Sequence, residues 1–282
     1  MPLSKKKQGS KYTYSMNIDG RAIAESIYIE LSARRQTIAG TVSLGIVVAS
    51  HDPVIESFVR IKSRAAARLN VELRRLDLLN QPTTADALAA IEQLGPKVDG
   101  IIVQLPLPNA LDTDAVLAAI PPFLDVDGIN PSVADADRVV LAPVADAIEE
   151  ILKRGDFDAT GKTCVIVGAG RLVGVPAAHL MRSLGAHVSV VTLESGSLSE
   201  LKDADIVILG AGNPGFVKPE MLKDGVVLID AGTSEQGGKV IGDADAACAE
   251  RAALFTPVPG GIGPIAVAMI FKNLFDLIDK NK

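Results

Sequence analysis

Apolar and polar positions change their period repeatedly along this chain. Segments 18–36 and 54–70 carry apolar residues three and four positions apart, as the buried face of a helix does. Segment 41–49 is a continuous apolar run of the kind found in strands buried on both faces, and segment 71–79 is also strand-like. This alternation of helix and strand predicts a parallel sheet with right-handed crossovers.

The same alternation continues to the end of the chain. A helix is predicted over 84–94 with Thr83 or Thr84 as its cap, and segment 155–161 reads as a linker, because a new strand–helix pattern begins after it. The last helix, 265–278, is amphipathic and long enough to pack back across the first domain. The other predicted elements are helices 112–120, 144–154 and 172–184, and strands 162–168, 187–193, 205–209 and 226–231.

One predicted strand ends in a polar amide between prolines. Segment 98–108 reads VDGIIVQLPLP, and Pro106 and Pro108 cannot continue a hydrogen-bonded ladder. Gln104 therefore lies at the carboxyl end of a parallel strand, the edge where open α/β sheets bind ligands. A glutamine that only caps loop amides fits the same spacing.

A glycine-rich turn joins the first strand and helix of the second unit. Glycines there let the backbone approach a pyrophosphate, and the N–H groups at the helix start meet its charge. The spacing is one residue longer than G-x-G-x-x-G, and a tight turn without a ligand is the alternative. The residues of the turn are Gly168, Ala169, Gly170, Arg171, Leu172, Val173 and Gly174.

Two more features favour a dinucleotide at this turn. Glu194 lies about 20 residues further on, at the end of the next strand, where an acid would hold a pair of ribose hydroxyls, although a solvated glutamate fits as well. A second glycine turn follows strand 205–209 on the same edge of the sheet and would cover the nicotinamide side. Its residues are Gly210, Ala211, Gly212, Asn213 and Pro214.

Composition narrows the class of protein. The chain has 282 residues and a net charge of -6, which argues against nucleic acid as the main partner. No run reaches the ~18 apolar residues of a membrane span. The first 15 residues are basic without a following apolar core, so we expect a disordered leader and not a secretory signal.

Cysteine and histidine usage is sparse. The two cysteines, Cys164 and Cys248, cannot form a disulfide framework and indicate a reducing cytoplasm. The three histidines are scattered among different elements, with no cysteine or carboxylate at ligand spacing, so no structural metal is expected.

Two long segments carry a family resemblance. VDGIIVQLPLP at 98–108 and TPVPGGIGPIAVAMI at 256–270 are similar to the two signatures of the bifunctional methylenetetrahydrofolate dehydrogenase and methenyltetrahydrofolate cyclohydrolase family. DVDGIN at 125–130 and IGDAD at 241–245 fall in the order found in that family, and the match covers essentially everything after the leader.

The resemblance implies a two-domain α/β fold with a cleft between the domains. An N-terminal α/β folate domain would comprise 16–143 and 266–282, and a Rossmann-type dinucleotide-binding domain would comprise 144–265. The implied partners are one-carbon derivatives of tetrahydrofolate, the implied cofactor is NAD(P), and a homodimer through the Rossmann domain is implied.

The implied chemistry has two steps with different requirements. The methylene bridge is oxidised by hydride transfer to the nicotinamide, and water then adds to the methenyl cation to give formyltetrahydrofolate. Hydride leaves a carbon between two nitrogens, so the cation is delocalised and the first step requires positioning more than acid and base. Hydration does require proton transfer.

The resemblance assigns the hydration step to Lys62. This lysine lies one helical turn after Phe58 near an apolar stripe, which should lower its pKa and let it act as general base and then acid. Gln104 could hold its amine, and Asp127 would bind the pterin amino group and ring N–H. On pattern alone a snorkelling lysine is favoured. The alternative for Asp127 is an Asx turn, and that turn and the binding role can coexist. The other implied substrate-binding residues are Phe58, Leu105, Pro106, Pro259, Gly260 and Gly261.

The cofactor loop departs from the family pattern. The usual Gly-Arg-Ser is Gly168-Ala169-Gly170 here, and the usual His-Ser-Arg-Thr appears as TLES at 192–195, so both arginines that suit a ribose phosphate are absent. The Glu194 carboxylate would repel a phosphate, which favours NAD over the NADP common in bacterial relatives, whereas Arg171 could still favour NADP. We also assign Thr233 to the cofactor site.

Two further departures leave alternatives open. Phe58 stands where the family usually has tyrosine, so a dehydrogenase without cyclohydrolase activity is one alternative. A folate-binding relative without turnover is another, because the cofactor loop is altered. The customary Cys-Thr-Pro-x-Gly is reduced to APVA at 142–145, in a loop that is shorter than usual.

Overall fold

A computed structural model describes residues 4–6, 13–78, 80–192, 195–237 and 239–281. The helices are α1 (Gly20–Thr37), α2 (Pro53–Arg68), α3 (Thr84–Leu94), α4 (Thr113–Ala118), α5 (Pro143–Arg154), α6 (Gly174–Ser183) and α7 (Ile262–Lys280). The strands are β1 (Ser4–Lys6), β2 (Thr13–Asn17), β3 (Val42–Val48), β4 (Val71–Asp77), β5 (Gly100–Val103), β6 (Thr163–Val167), β7 (His187–Val191), β8 (Ile206–Leu209), β9 (Val226–Asp230), β10 (Ser234–Gln236), β11 (Lys239–Ile241) and β12 (Ala252–Phe255). Short 3-10 helices lie at Gly95–Lys97, Asp135–Asp137, Leu198–Lys202, Pro219–Met221 and Ala246–Glu250.

The chain forms two compact units. The seven-stranded unit contains Met1–Ala24 and Val144–Ala266, and the three-stranded unit contains Glu25–Pro143 and Val267–Lys282. Within the described parts of the chain, no helix is long and apolar enough to cross a membrane.

The seven-stranded unit has the strand order β1-β2-β12-β9-β8-β6-β7. All neighbouring pairs are parallel except β1 and β2. The strands β8 and β9 are buried along their whole length, as their continuous apolar runs require. The strand after β6 lies on one side of it and β8 lies on the other, so the order reverses there. A reversal of this kind opens a crevice at the carboxyl ends of β6 and β8, where α/β sheets bind ligands.

The three-stranded unit has the parallel order β4-β3-β5. Every residue of β3 and β5 is buried, which fits their apolar sequence. Thr83 caps α3 in a reciprocal capping box with Asp86, the first of the two candidate caps. Beyond β5, a parallel bridge between Ile101 and Asp125 brings the 125–130 segment beside the end of the sheet.

The described parts of the expected leader are strands. Ser4–Lys6 and Thr13–Asn17 are strands that pair with each other, and Met16 and Asn17 of β2 continue the sheet beside Leu254 and Phe255. Pairing of this kind uses backbone groups, so a polar sequence at a sheet edge does not prevent it. Residues 1–3 and 7–12 lie outside the described residues.

Candidate active site

Lys62 and Gln104 meet in the three-stranded unit. The half-buried Lys62 lies on α2, and its Nζ donates to Oε1 of Gln104 at 2.6 Å. Gln104 follows β5 and is buried, its N–H donates to the carbonyl of Val47 at 2.9 Å, and its side-chain Nε2 donates to the carbonyl of Leu105 at 2.7 Å. Because the amide nitrogen is committed to Leu105, Oε1 is held toward the lysine. The hydrogen bond expected from the sequence is therefore present.

Burial shifts the pKa values of Lys62 and Asp127 in opposite directions. Burial lowers the pKa of Lys62, and the negative charge of Asp127 opposes that shift. Burial also raises the pKa of Asp127 to about 6, while Lys62 lowers it and Asp125 raises it. The lowered pKa of Lys62 makes its neutral, proton-accepting form more accessible than that of an exposed lysine.

Hydrogen bonds between side chains and the backbone hold the loop that carries Asp127. Asp125 Oδ2 accepts the N–H of Asn130 at 2.8 Å, across the loop. Arg138 Nη1 donates to the carbonyls of Gly128 at 2.9 Å and Asn130 at 3.0 Å. These hydrogen bonds are made by the side chains of Asp125 and Arg138 and not by that of Asp127.

The other substrate residues expected in this unit are close in sequence to Lys62 or Gln104. Phe58 lies one helical turn before Lys62 and its side chain is 40% exposed, which leaves an aromatic face open to a planar ligand. Leu105 is half-buried and Pro106 is exposed, directly after Gln104.

The first glycine turn is shaped by close backbone contact. At Gly168, where φ is +104°, a Cβ would lie 2.5 Å from the carbonyl oxygen of Gly210, and at Gly174 a Cβ would lie 1.9 Å from the carbonyl oxygen of Gly168. Gly170 and Gly212 differ, because a Cβ at Gly170 would reach one atom at 4.0 Å and a Cβ at Gly212 would meet nothing within 4 Å. Gly168, Gly174 and Gly210 therefore allow close contact within and between the two turns. Gly170 and Gly212 leave the surface open.

The other expected cofactor residues lie around these turns. Val173 packs against Gly210, since a Cβ there would lie 2.4 Å from Val173 Cγ1. Arg171 and Ala211 are half-buried, and Ala169 and Thr233 are exposed. Glu194 lies outside the described residues, three positions after the end of β7.

The loop of Pro259, Gly260 and Gly261 belongs to the seven-stranded unit. The N–H of Gly20 donates to the carbonyl of Gly260 at 2.9 Å, and a Cβ on Gly20 would lie 1.7 Å from the carbonyl oxygen of Gly261. The start of α1 therefore packs directly on this loop. The structure thus places these three residues in the same unit as the glycine turns, and Lys62, Gln104 and Asp127 together in the three-stranded unit.

Three buried polar residues near these sites were missed by sequence reasoning. Asn273 on α7 donates to the carbonyls of Val126 at 2.9 Å and Leu141 at 2.7 Å, on either side of the Asp127 loop. An amide inside an otherwise apolar helix is the signal that would have found it. Asp243 accepts hydrogen bonds from the backbone of the second glycine turn, and Asp230 accepts one from the N–H of Asp243. Asp243 stands in the IGDAD segment, whose position was noted from the sequence without a role for its acid.

The chain is similar along almost its whole length to folate enzymes. Residues 18–127 match the sequence model of the tetrahydrofolate dehydrogenase/cyclohydrolase catalytic domain, and residues 142–282 match that of the NAD(P)-binding domain. Bifunctional protein FolD of Halothermothrix orenii is 38% identical over 272 residues, covering 91% of this chain and 95% of that protein. The corresponding protein of Lacticaseibacillus paracasei is 39% identical over 275 residues, covering 92% and 96%.

Solved structures give the same result. The bifunctional methylenetetrahydrofolate dehydrogenase/cyclohydrolase of Campylobacter jejuni superimposes with a TM-score of 0.88 at 30% identity, covering 94% of this chain and 98% of that one. The Trypanosoma brucei enzyme, solved with NADP cofactor and an inhibitor, also has a TM-score of 0.88 at 30% identity, covering 95% and 98%.

Proposed function

The chain belongs to the tetrahydrofolate dehydrogenase/cyclohydrolase family, and from this premise we propose that it oxidises methylenetetrahydrofolate with NAD(P) and hydrolyses the resulting methenyltetrahydrofolate to formyltetrahydrofolate. The observation that carries the proposal is the 2.6 Å hydrogen bond between Lys62 and Gln104, within the part of the chain that matches the catalytic domain. This hydrogen bond positions the Lys62 amine, which is the proton-transfer group that the second step requires.

Lys62 serves the hydration step as base and then as acid. In its neutral form, favoured by burial, it takes a proton from the water that attacks the methenyl carbon. It then returns this proton to the ring nitrogen as the carbon–nitrogen bond breaks. The hydroxyl group formed from water loses its second proton to solvent and becomes the formyl carbonyl, so one proton is released overall. A cationic substrate beside Lys62 lowers its pKa further, because like charges disfavour its protonated form.

Asp127 and Phe58 hold the substrate in this proposal. The Asp127 carboxylate accepts hydrogen bonds from the pterin amino group and ring N–H, which is a charge-assisted pairing. With its pKa raised to about 6, it is ionised for this role above that pH. The exposed ring of Phe58 packs on the flat part of the folate. Leu105 and Pro106, directly after Gln104, also contact the substrate in this proposal.

The residues of the glycine turns fit a dinucleotide. Side chains are excluded at Gly168 and Gly174 by backbone contact, while Gly170 and Gly212 leave free space at the carboxyl edge of β6 and β8. A pyrophosphate requires such an open backbone surface at the start of a helix, here α6. When bound, the nicotinamide supplies the hydride acceptor for the first step.

For the choice between cofactors, the sequence supports NAD. Glu194 stands near the end of β7, where a carboxylate suits free ribose hydroxyls and repels a ribose phosphate. Arg171, half-buried in the first turn, is the cation that would support NADP instead. The initial rate with methylenetetrahydrofolate, followed by absorbance with NAD and NADP in parallel, tests this assignment. A higher kcat/KM with NADP would contradict it.

The same preparation tests the whole proposal. Loss of the methenyltetrahydrofolate absorbance, with formyltetrahydrofolate as product, measures hydration separately from oxidation. Oxidation without hydration would mean a dehydrogenase that lacks the second step. Phe58 motivates this alternative, because it stands where the family usually has tyrosine. Folate binding with neither activity would refute the proposal.

We also propose a homodimer through the seven-stranded unit, in a reducing cytoplasm. Val190 on the edge strand β7 is 37% exposed, which offers an apolar edge for pairing. Both cysteines are buried and free. Light scattering during size exclusion, with Val190→Lys as the disrupting variant, tests the dimer, and a monomeric wild type would refute it.

A further inference from the structure

Two carboxylates are buried under the loops at the carboxyl edge of the seven-stranded sheet. Asp230 ends β9 and is 1% exposed, and Asp243, two residues after β11, is 0% exposed. Among the described residues, backbone N–H groups and not cations are what both carboxylates bind. Buried charge is costly unless it is well hydrogen-bonded, so these bonds define a fixed arrangement.

Asp243 lies at the centre of the second glycine turn. Its Oδ2 accepts the N–H groups of Ala211 at 2.7 Å and Gly212 at 3.1 Å, and its Oδ1 accepts the N–H of Asn213 at 2.8 Å. Three successive N–H groups directed at one carboxylate form a concave anion-binding turn. Here the anion belongs to the protein itself, so these three amides shape the turn and do not donate to a ligand.

Asp230 fixes the backbone that presents Asp243. Its Oδ1 accepts the N–H groups of Gly232 at 3.0 Å and Asp243 at 3.2 Å, and its Oδ2 accepts that of Ala244 at 2.8 Å. Two glycines leave room for the pair: a Cβ on Gly232 would lie 2.2 Å from Asp243 Cγ, and a Cβ on Gly242 would lie 2.2 Å from Asp230 Oδ2. Neither carboxylate can move without disturbing the other.

The turn that Asp243 holds forms one side of the crevice at β6 and β8. Gly210 opens the turn and packs against Gly168 of the first glycine turn and against Val173. At Gly212, where φ is +67°, the surface is open. A displaced turn would therefore change the spacing between the two glycine turns.

We propose that Asp243 is a positioning residue for the dehydrogenase step, because it presets the turn at 211–213 that forms one wall of the NAD(P) site. The inference rests on the proposed function, since it requires the cofactor to bind at this edge. Hydration needs no cofactor and uses Lys62 and Gln104 of the three-stranded unit. The two activities therefore separate a positioning effect from general damage.

The test is Asp243→Asn. The asparagine side chain has nearly the same shape, but its NH2 group cannot accept a hydrogen bond. If the NH2 group takes the place of Oδ1, the bond from Asn213 is lost, and if it takes the place of Oδ2, the bonds from Ala211 and Gly212 are lost. We expect the KM and Kd for the cofactor to rise about tenfold or more. The KM for folate and the hydration rate should stay within about twofold, since no described contact links Asp243 to that step. The matched control is Asp245→Asn, which removes one charge two residues later, where the exposed carboxylate pairs with Lys218 at 2.9 Å.

Three results would overturn the proposal. Unchanged cofactor KM in Asp243→Asn would remove the role of Asp243 while leaving the proposed function intact. An equal loss of hydration, folate binding and cofactor binding would mean a merely structural role. A wild type that reduces neither NAD nor NADP would refute the proposed function, and the role of Asp243 with it.

Hydrogen exchange in the wild type keeps the inference testable if the variant does not fold. The amides of Ala211, Gly212 and Asn213 should exchange slowly in the cofactor-free protein, because Asp243 already binds them, and cofactor should add little protection. Exchange as fast as in an unfolded chain, slowed only by added cofactor, would show that the cofactor and not Asp243 orders the turn.

Discussion

Buried charge is stabilised differently in the two units. In the three-stranded unit, Lys62 donates a hydrogen bond to Gln104, and the charge of Asp127 raises its pKa. Lys62 and Asp127 can each gain or lose a proton. In the seven-stranded unit, Asp230 and Asp243 are each held by three backbone N–H groups, which cannot change their charge. A titratable partner equips a group for chemistry, whereas an amide shell equips it to fix the backbone.

The sharpest way to break this comparison is to remove the lysine. Lys62→Met should lower the hydration rate by about 10²–10⁴-fold, the usual contribution of a general acid–base group, and leave oxidation within a few-fold. Absorbance assays of both steps measure this. The matched control is Arg60→Met, an exposed cation two residues earlier on α2. Equal loss of both activities would mean that Lys62 serves substrate binding and not proton transfer.

The charge of Asp230 should affect the pH dependence of folding stability. Burial raises the pKa of Asp230 to about 6, above its ordinary value of 3.8. The folded protein therefore holds this proton more tightly than the unfolded chain, so the contribution of Asp230 to stability falls as pH rises from about 4 to about 6, by up to about 3 kcal/mol. Urea unfolding of wild type and Asp230→Asn at pH 4.5 and pH 7 measures it. Parallel pH dependences in the two proteins would contradict the assignment.

Removing the acid partner should sharpen the contrast further. Asp127→Asn should raise the KM for folate about tenfold, because a charge-assisted pairing is lost. It should also lower the pKa of Lys62, since the Asp127 charge raises it, so the acid limb of the hydration profile should move to lower pH. Asp137→Asn, an exposed acid ten residues later, is the control. An acid limb at the same pH as in the wild type would show that Asp127 does not act on Lys62.

The smallest expected effect is at Phe58. Phe58→Tyr adds one hydroxyl to a side chain that is already 40% exposed, so folding stability should change by less than about 0.5 kcal/mol. If hydrogen bonding around Lys62 limits hydration, the hydration rate should rise a few-fold while oxidation is unchanged. Thermal unfolding and the two assays decide this, and a fall in hydration would show that the phenylalanine is already suited to the site.

Local patterns made much of the candidate site predictable. The apolar run before Gln104 ends at prolines, and this alone placed an amide at the carboxyl end of β5. One helical turn separates Phe58 from Lys62, which predicted their common face on α2. Five of the described strands were not predicted. Four of them, β1, β2, β10 and β11, lack an apolar run, because backbone pairing at an edge leaves little trace in the side chains, and the fifth, β12, is an apolar segment of only four residues.

By itself, the sequence determined the order of the helices and of strands β3 to β9, the polar end of β5 and the positions of the two glycine turns, since each is written in neighbouring residues. Only the tertiary structure decided which buried carboxylate meets which amides. Asp243 and the N–H groups it binds are 30 to 32 positions apart, and Asn273 lies 147 positions from the Val126 carbonyl. No local period records such a contact, because it exists only once the separate strands and helices have packed together.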